Sequence, residues 1–341
     1  MNILLTGMWH SNVHEEPLKI AFESLGHKVY QLKWSDFFKT GFFSNVQLKL
    51  SIGPAIRKVN LSLFNFSVLN DVDLIVIHRG SIINKKTICN IRNLKPNVKI
   101  VVYNNDNPFS SKYPFYYWRV FKKCIPYYDV IFGYRPSDEP HYLKFQAKKF
   151  VLLKPWFIPW IHKPLNFKLS DKLYDVVFIG HYEDDGRVEL LEFLSKHGVK
   201  LKLFGHNEWN KVILKSEYLS HHFPVKTVWD EDYNITLNQA KISLCILSTL
   251  NNDVYTRRCF EIPAAGSLLL APKTTELSSI FRENHEAIYY TDSNDALIKI
   301  RTLLDDSERL NMLAKNGLFR VKNDNHDIIS RASYILSNSL G

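Results

Sequence analysis

Asp253-Val-Tyr-Thr-Arg-Arg-Cys-Phe-Glu-Ile-Pro-Ala-Ala-Gly266 is the stretch whose reading decides the fold. It lies between two apolar runs, residues 242–247 (ISLCIL) and 267–271 (SLLLA). Both runs have the length and turn-bounded character of strands buried on two faces in a parallel sheet. Between them come a polar loop over 248–252, two adjacent arginines, a short helix and a glycine stop. The order strand, loop, helix, strand puts the loop and the helix start at the carboxyl edge of a sheet, where open α/β folds bind ligands.

The residue types at that edge suit an anion. A helix start presents unpaired N–H groups, and Arg257 and Arg258 add two positive charges that grip phosphate oxygens in a forked geometry. Glu261, one turn on, can accept hydrogen bonds from ribose hydroxyls. Asp253, Tyr255 and Thr256 enter the same loop. A diphosphate beside a sugar is the ligand this pattern fits. The competing reading is a solvated arginine face on which Glu261 serves only as a salt-bridge partner.

Outward from this stretch the same unit recurs. Residues 2–6 form a strand closed by Gly7, residues 17–25 a helix stopped by Gly26, and residues 27–32 a second strand. The intervening loop holds His14 and Glu15, candidate general bases for an acceptor hydroxyl. Residues 73–78 and 98–103 are further buried strands, and Asp106 follows the second of them in Asn104-Asn-Asp-Asn-Pro108. Asp106 joins His14 and Glu15 as a candidate base and is a candidate contact for acceptor or donor sugar, although turn chemistry explains the segment as well. Residues 174–180 restart the pattern: a strand ending at Gly180, then His181, then Arg187 at a helix start. The next strand ends at Gly205-His206. Gly180 permits close backbone approach, Arg187 offers charge, and His206 or Trp209 is a candidate to approach a base. The prolines and tryptophans from Pro155 to Pro164 form a stiff connector. The expected organisation is α/β, with one Rossmann-like domain over 1–165 and a second over 166–325. A final helix over 326–341 packs toward the first domain.

Arg258-Cys-Phe-Glu-Ile-Pro-Ala-Ala-Gly266 and the strand after it resemble the signature of the CgeB-like (spore-maturation type) glycosyltransferases. The resemblance continues through Ile288 to Asp292, Asp305 to Gly317 and His326 to Arg331. It implies the GT-B fold, with two Rossmann-like domains facing a central cleft and the last helix crossing back. It also implies transfer of a sugar from a nucleotide-diphosphate sugar to a glycan or lipid-linked glycan acceptor, in the synthesis of a bacterial surface polysaccharide. In retaining GT-B families two glutamates eight positions apart mark the donor site, the second on the ribose. Glu261 matches the second, and the shorter Asp253 stands at the first. The resemblance points the loop of Gly180, His181 and Arg187 toward the donor phosphates. Two alternatives stand beside it, a sugar-nucleotide epimerase on the same fold and a non-catalytic protein that binds anionic ligands or membranes.

Charge is uneven: residues 1–170 carry 24 Lys and Arg against ten Asp and Glu, whereas the remainder carries 20 against 24. The first half therefore faces something acidic, and residues 37–68, apolar and basic in alternation, suit an anionic membrane surface or a helix packed on its own domain. No nucleic-acid motif accompanies the charge, so nucleic acid is not an expected partner. Cys89, Cys124, Cys245 and Cys259 lack metal or disulfide spacing, and no acidic DxD triplet opens a loop. No metal and no cofactor is expected, the charge of the leaving group falling to Arg257 or Arg258, to Arg187 and to helix N-termini. The absence of a signal or spanning segment suggests a cytoplasmic protein.

Overall fold

The computed structural model describes residues 1–10 and 12–340. Eleven strands among these residues form two parallel sheets. The first comprises β1 (Asn2–Gly7), β2 (Lys28–Lys33), β3 (Leu74–His78), β4 (Lys99–Asn104), β5 (Val130–Gly133) and β6 (Phe150–Leu152), in the order β2-β1-β3-β4-β5-β6. The second comprises β7 (Tyr174–Ile179), β8 (Leu201–Phe204), β9 (Ala240–Leu244), β10 (Leu268–Pro272) and β11 (Ile288–Tyr290), in the order β11-β10-β9-β7-β8. Every residue of β3 is buried, in keeping with its uninterrupted LIVIH sequence, because helices cover both faces of such a sheet.

The chain divides into two units, residues 1–154 with the segment from Ile328 onward, and Pro155–Asp327. The final helix, Ile328–Leu340, returns to the first unit, where it packs on the helix Glu15–Ser24 and on β4 and β5. Lys149 Nζ donates to the Asn338 carbonyl at 2.8 Å and fastens its end. The core of the first unit sets Trp34, Trp118, Phe121, Tyr128 and Tyr142, all buried, among isoleucines, valines and leucines. That of the second is mainly aliphatic, around Trp209.

In the second unit the backbone behaves as the turn chemistry requires. β9 leaves the ladder after Leu244, three residues earlier than its apolar run, although Cys245 N still donates to Leu270 O at 2.7 Å. The helix Arg258–Ala264 stops in a Schellman arrangement: Gly266, at φ +78°, donates to Pro263 O, and Ser267 N donates to Ile262 O. Pro263 lies inside this seven-residue helix and leaves the Cys259 carbonyl, four residues back, without its helical donor.

The ends of β7 and β8 are locked to each other. Trp209 Nε1 donates to the Gly180 carbonyl at 2.9 Å from a fully buried indole. A methyl group on Gly205 would collide with that same carbonyl oxygen and with the indole. Gly205→Ala is therefore expected to destabilise the protein by about 1–3 kcal/mol, read as a lowered urea midpoint with an unchanged slope.

Candidate functional site

Three strand ends of the second sheet bring the predicted donor residues together. His181 follows β7, His206 follows β8, and Arg257 and Arg258 follow β9 after its loop. The His181 and His206 rings stack at 4.5 Å between centroids, and His206 meets Trp229 at 5.4 Å. Burial, then the charges of His206 and Arg258, holds the His181 imidazole down at about 4. It is therefore neutral at pH 7, a hydrogen-bonding group rather than a second cation beside Arg258.

Arg258 is half-buried, and its Nε is cut off from solvent with no hydrogen-bond acceptor. A buried donor left in this way costs about 1–3 kcal/mol until an acceptor arrives. Arg257 is differently placed, its Nε against Oε1 of Glu261. Glu261 is 1% exposed; its Oε2 accepts from Tyr233 Oη at 2.9 Å, and His162 Nε2 lies 3.8 Å from Oε1. Burial would raise the Glu261 carboxyl, but Arg257, then His162, the Tyr233 hydroxyl and Arg258 overcome this and keep it lowered. His162 Nδ1 accepts from Ile158 N at 2.9 Å, so in the neutral ring the proton sits on Nε2, facing Glu261. Both readings of the Arg-Arg-Glu group find a counterpart in this geometry. Glu261 pairs with one arginine, and the other is left with an open donor.

Other predicted residues take different places. The helix that begins at Arg258 is only seven residues long, so the anion-binding charge at this edge comes from the guanidinium groups more than from a helix dipole. Arg187 is 2% exposed and closes on its own loop: Nε and Nη2 donate to the two Asp185 carboxylate oxygens at 2.6 Å, and Nη1 donates to the His181 carbonyl. Its charge is matched by Asp185, with Glu183 at 3.5 Å, and it shapes the 181–187 loop from behind. Tyr255 is buried against Phe260 and belongs to the core. The Thr256 carbonyl accepts from Cys259 N at 3.0 Å in the first turn, and Asp253 is half-buried, its N–H bonded to Ser248 O at 2.9 Å.

A second cluster lies at the carboxyl edge of the first sheet. Glu15, 3% exposed, accepts from His78 Nδ1 at 2.8 Å and from Trp9 N at 3.2 Å. Gly7 leaves the room it needs, since a methyl group there would strike the carboxylate. His78 Nε2 reaches Asn105 Oδ1 at 3.2 Å, and the His14 ring lies 4.7 Å from that of His78. Burial would raise the Glu15 carboxyl, yet the charge and hydrogen bond of His78, with His14 behind, hold it at about 2. So acidic a group is a weak base; Glu15 orients His78. Asp106 is ion-paired to Arg79 and its N–H turns back to Asn104 Oδ1 at 3.1 Å, the Asx geometry of a turn. His78, His162, Tyr233 and Trp229 escaped the sequence reading. His78 alone carried a signal, as the last residue of an apolar strand.

Residues 187–337 match a family model described as "Glycosyl transferase-like". Among solved structures the chain is similar to sucrose-phosphate synthase of Thermosynechococcus elongatus, with a TM-score of 0.70 and 14% identity over 99% of this chain and 98% of that one. HepE of Anabaena, solved with UDP-glucose, gives 0.69 and 13%, with 99% of each chain covered. A glycosyltransferase of Rickettsia africae gives 0.63 and 13%, covering 99% of this chain and 97% of its own. No curated protein matches by sequence. The chain has the GT-B fold. Among the described residues no group of three or more His, Cys, Asp and Glu is arranged to hold a metal ion, and no helix is long and apolar enough to cross a membrane.

The folded Glu15 carboxyl titrates below its ordinary value of 4.5, so the stability it confers is present above that pH and is lost as pH falls toward about 2. Denaturant titrations across this window should show Glu15→Gln losing less stability than the wild type, by on the order of 1–3 kcal/mol. Parallel acid limbs would remove Glu15 from the His78 pair.

Proposed function

We propose that the chain is a glycosyltransferase that moves a sugar from a nucleotide-diphosphate sugar to an acceptor hydroxyl. The observation that carries this is the open, buried Nε of Arg258 beside the neutral His181, at the carboxyl edge of the second sheet, with residues 187–337 matching a glycosyl transferase-like family model. The Anabaena neighbour, solved with UDP-glucose, supports a uridine donor and a hexosyl group.

The reaction forms a bond from the acceptor oxygen to the anomeric carbon and breaks the bond from that carbon to the diphosphate. The electron pair leaves on the diphosphate oxygen, and Arg258, with Arg257 behind it, stabilises the charge as it develops. Arg258 supplies charge that a metal would otherwise bring, so we expect turnover without one. Glu261 has lone pairs beyond those that Arg257 and Tyr233 occupy, and we assign them the ribose hydroxyls. The flat faces of His206 and Trp229 suit the base. We place the acceptor on the first unit, with His14 and His78 as the groups able to take its proton. A glycan or lipid-linked glycan acceptor, a CgeB-like relationship, and work on a bacterial surface polysaccharide at the cytoplasmic side of the plasma membrane complete the reading. The carriers of that last part are the Arg258–Gly266 stretch and the basic first half.

A thermal-shift panel of nucleotide diphosphates and their sugars tests it. The true donor should stabilise the protein by about 2.7 kcal/mol at a hundredfold excess over its Kd. Arg258→Ala should abolish that shift and lower kcat/KM by about 10²–10³, while Glu261→Gln should weaken nucleotide binding by roughly tenfold. Wild-type binding and turnover in Arg258→Ala would overturn the site. Turnover of the sugar nucleotide with no acceptor present would assign the chain to sugar-nucleotide modification instead.

A further inference from the structure

Between Phe37 and Tyr128 the chain carries 14 Lys and Arg and only three acidic residues, Asp71, Asp73 and Asp106. Asp106 is neutralised by Arg79, and Asp73 accepts from Asn2 N at 2.7 Å. The helices Pro54–Leu69, Lys85–Leu94 and Arg119–Cys124 of this region pack side by side in the first unit. Arg57, Lys58, Lys85, Lys86 and Lys123 on them are exposed. A groove of about 590 Å³ runs along this layer, lined by Lys85, Lys122, Lys123, Lys144, Tyr127 and Phe145 and by no acidic side chain.

The helix Phe42–Leu50 packs on the first of these helices and buries none of its own residues, although its sequence is FFSNVQLKL. Phe42 and Phe43 are 75% and 82% exposed at its start, and Leu50, Ile52, Leu61 and Leu69 are exposed beside or beyond it. No Asp or Glu occurs from Phe37 to Asn70, whereas Lys39, Lys49, Arg57 and Lys58 do. Exposed apolar side chains this concentrated mark a contact surface. The chemistry of the cover follows from what it must satisfy at once: phosphates for the lysines, and a hydrocarbon phase for phenylalanine, leucine and isoleucine. Nucleic acid offers phosphates and stacking faces, but the aliphatic side chains have no face to stack.

We propose that this helical layer docks on an anionic lipid bilayer, with Phe42 and Phe43 inserted among the acyl chains and the lysine-lined groove over the phosphate headgroups. The geometry is that of an interfacial contact, in which apolar insertion and attraction to anionic lipid add. The inference rests on the transferase reading only for the side of the membrane that is met.

Sedimentation with vesicles tests it, using phosphatidylcholine alone and phosphatidylcholine mixed with phosphatidylglycerol. The full chain should partition onto the mixed vesicles, release in high salt and ignore phosphatidylcholine. Phe42→Ser with Phe43→Ser should lower the partition by about tenfold or more, and Lys122→Gln or Lys123→Gln by about fivefold each. Both phenylalanines are exposed, and the nucleotide-induced thermal shift of each variant reports that it is folded. Partition that survives the double phenylalanine substitution, or single-stranded DNA bound where mixed vesicles are not, would overturn the proposal. Vesicle binding without any nucleotide response would instead sink the transferase reading and leave this one standing.

Discussion

The second unit depends on how charge is settled where its strands end. Arg187 has Asp185, and Arg257 has Glu261, but the Nε of Arg258 is buried with no acceptor. A donor sealed off in this way is tolerable only if a ligand completes it or if it carries strain to no purpose. Around it the protein avoids adding competing charge. His181 is neutral and His162 faces the carboxylate of Glu261 rather than Arg258, so the field at the edge remains that of one cation with a vacant direction. An anion meeting that field exchanges water for a fixed donor, with little reorganisation left to do.

The first unit settles its charge in the opposite way. Glu15 Oε1 is engaged by His78 and the Trp9 amide, and Asp106 is paired with Arg79. Arg135, 1% exposed, donates to the Asn105 carbonyl at 3.1 Å. The strand ends here carry a hydrogen-bond network that fixes His78, with the His14 ring against it. Such a network suits a group that moves a proton, because orientation and tautomer are decided before the substrate arrives. The uncompensated cations of this unit lie elsewhere, on the helical layer.

Much of the fold was legible because parallel sheets write themselves as apolar runs. Leu74 to His78 is such a run, and so is Leu268 to Ala271. Gly266 was legible because a chain leaving a helix needs a left-handed residue there. The pairing of charges was not legible. Whether Arg187 faces a ligand or Asp185 depends on the loop that follows Gly180, and spacing alone fits both. His162 lies amid prolines in the connector, with no pattern to connect it to Glu261, 99 residues later; only the fold brings them within 3.8 Å. The acidity of Glu15 likewise arises from His78, far along the chain, and turned a candidate base into its support.

The most direct measurement is amide hydrogen exchange of the full chain with and without the nucleotide diphosphate that gives the largest thermal shift. The account predicts slowed exchange over residues 254–262 and over the 181–187 loop, where Arg258 and His181 would close on the diphosphate. Protection confined to other segments, with those two unchanged, would contradict it.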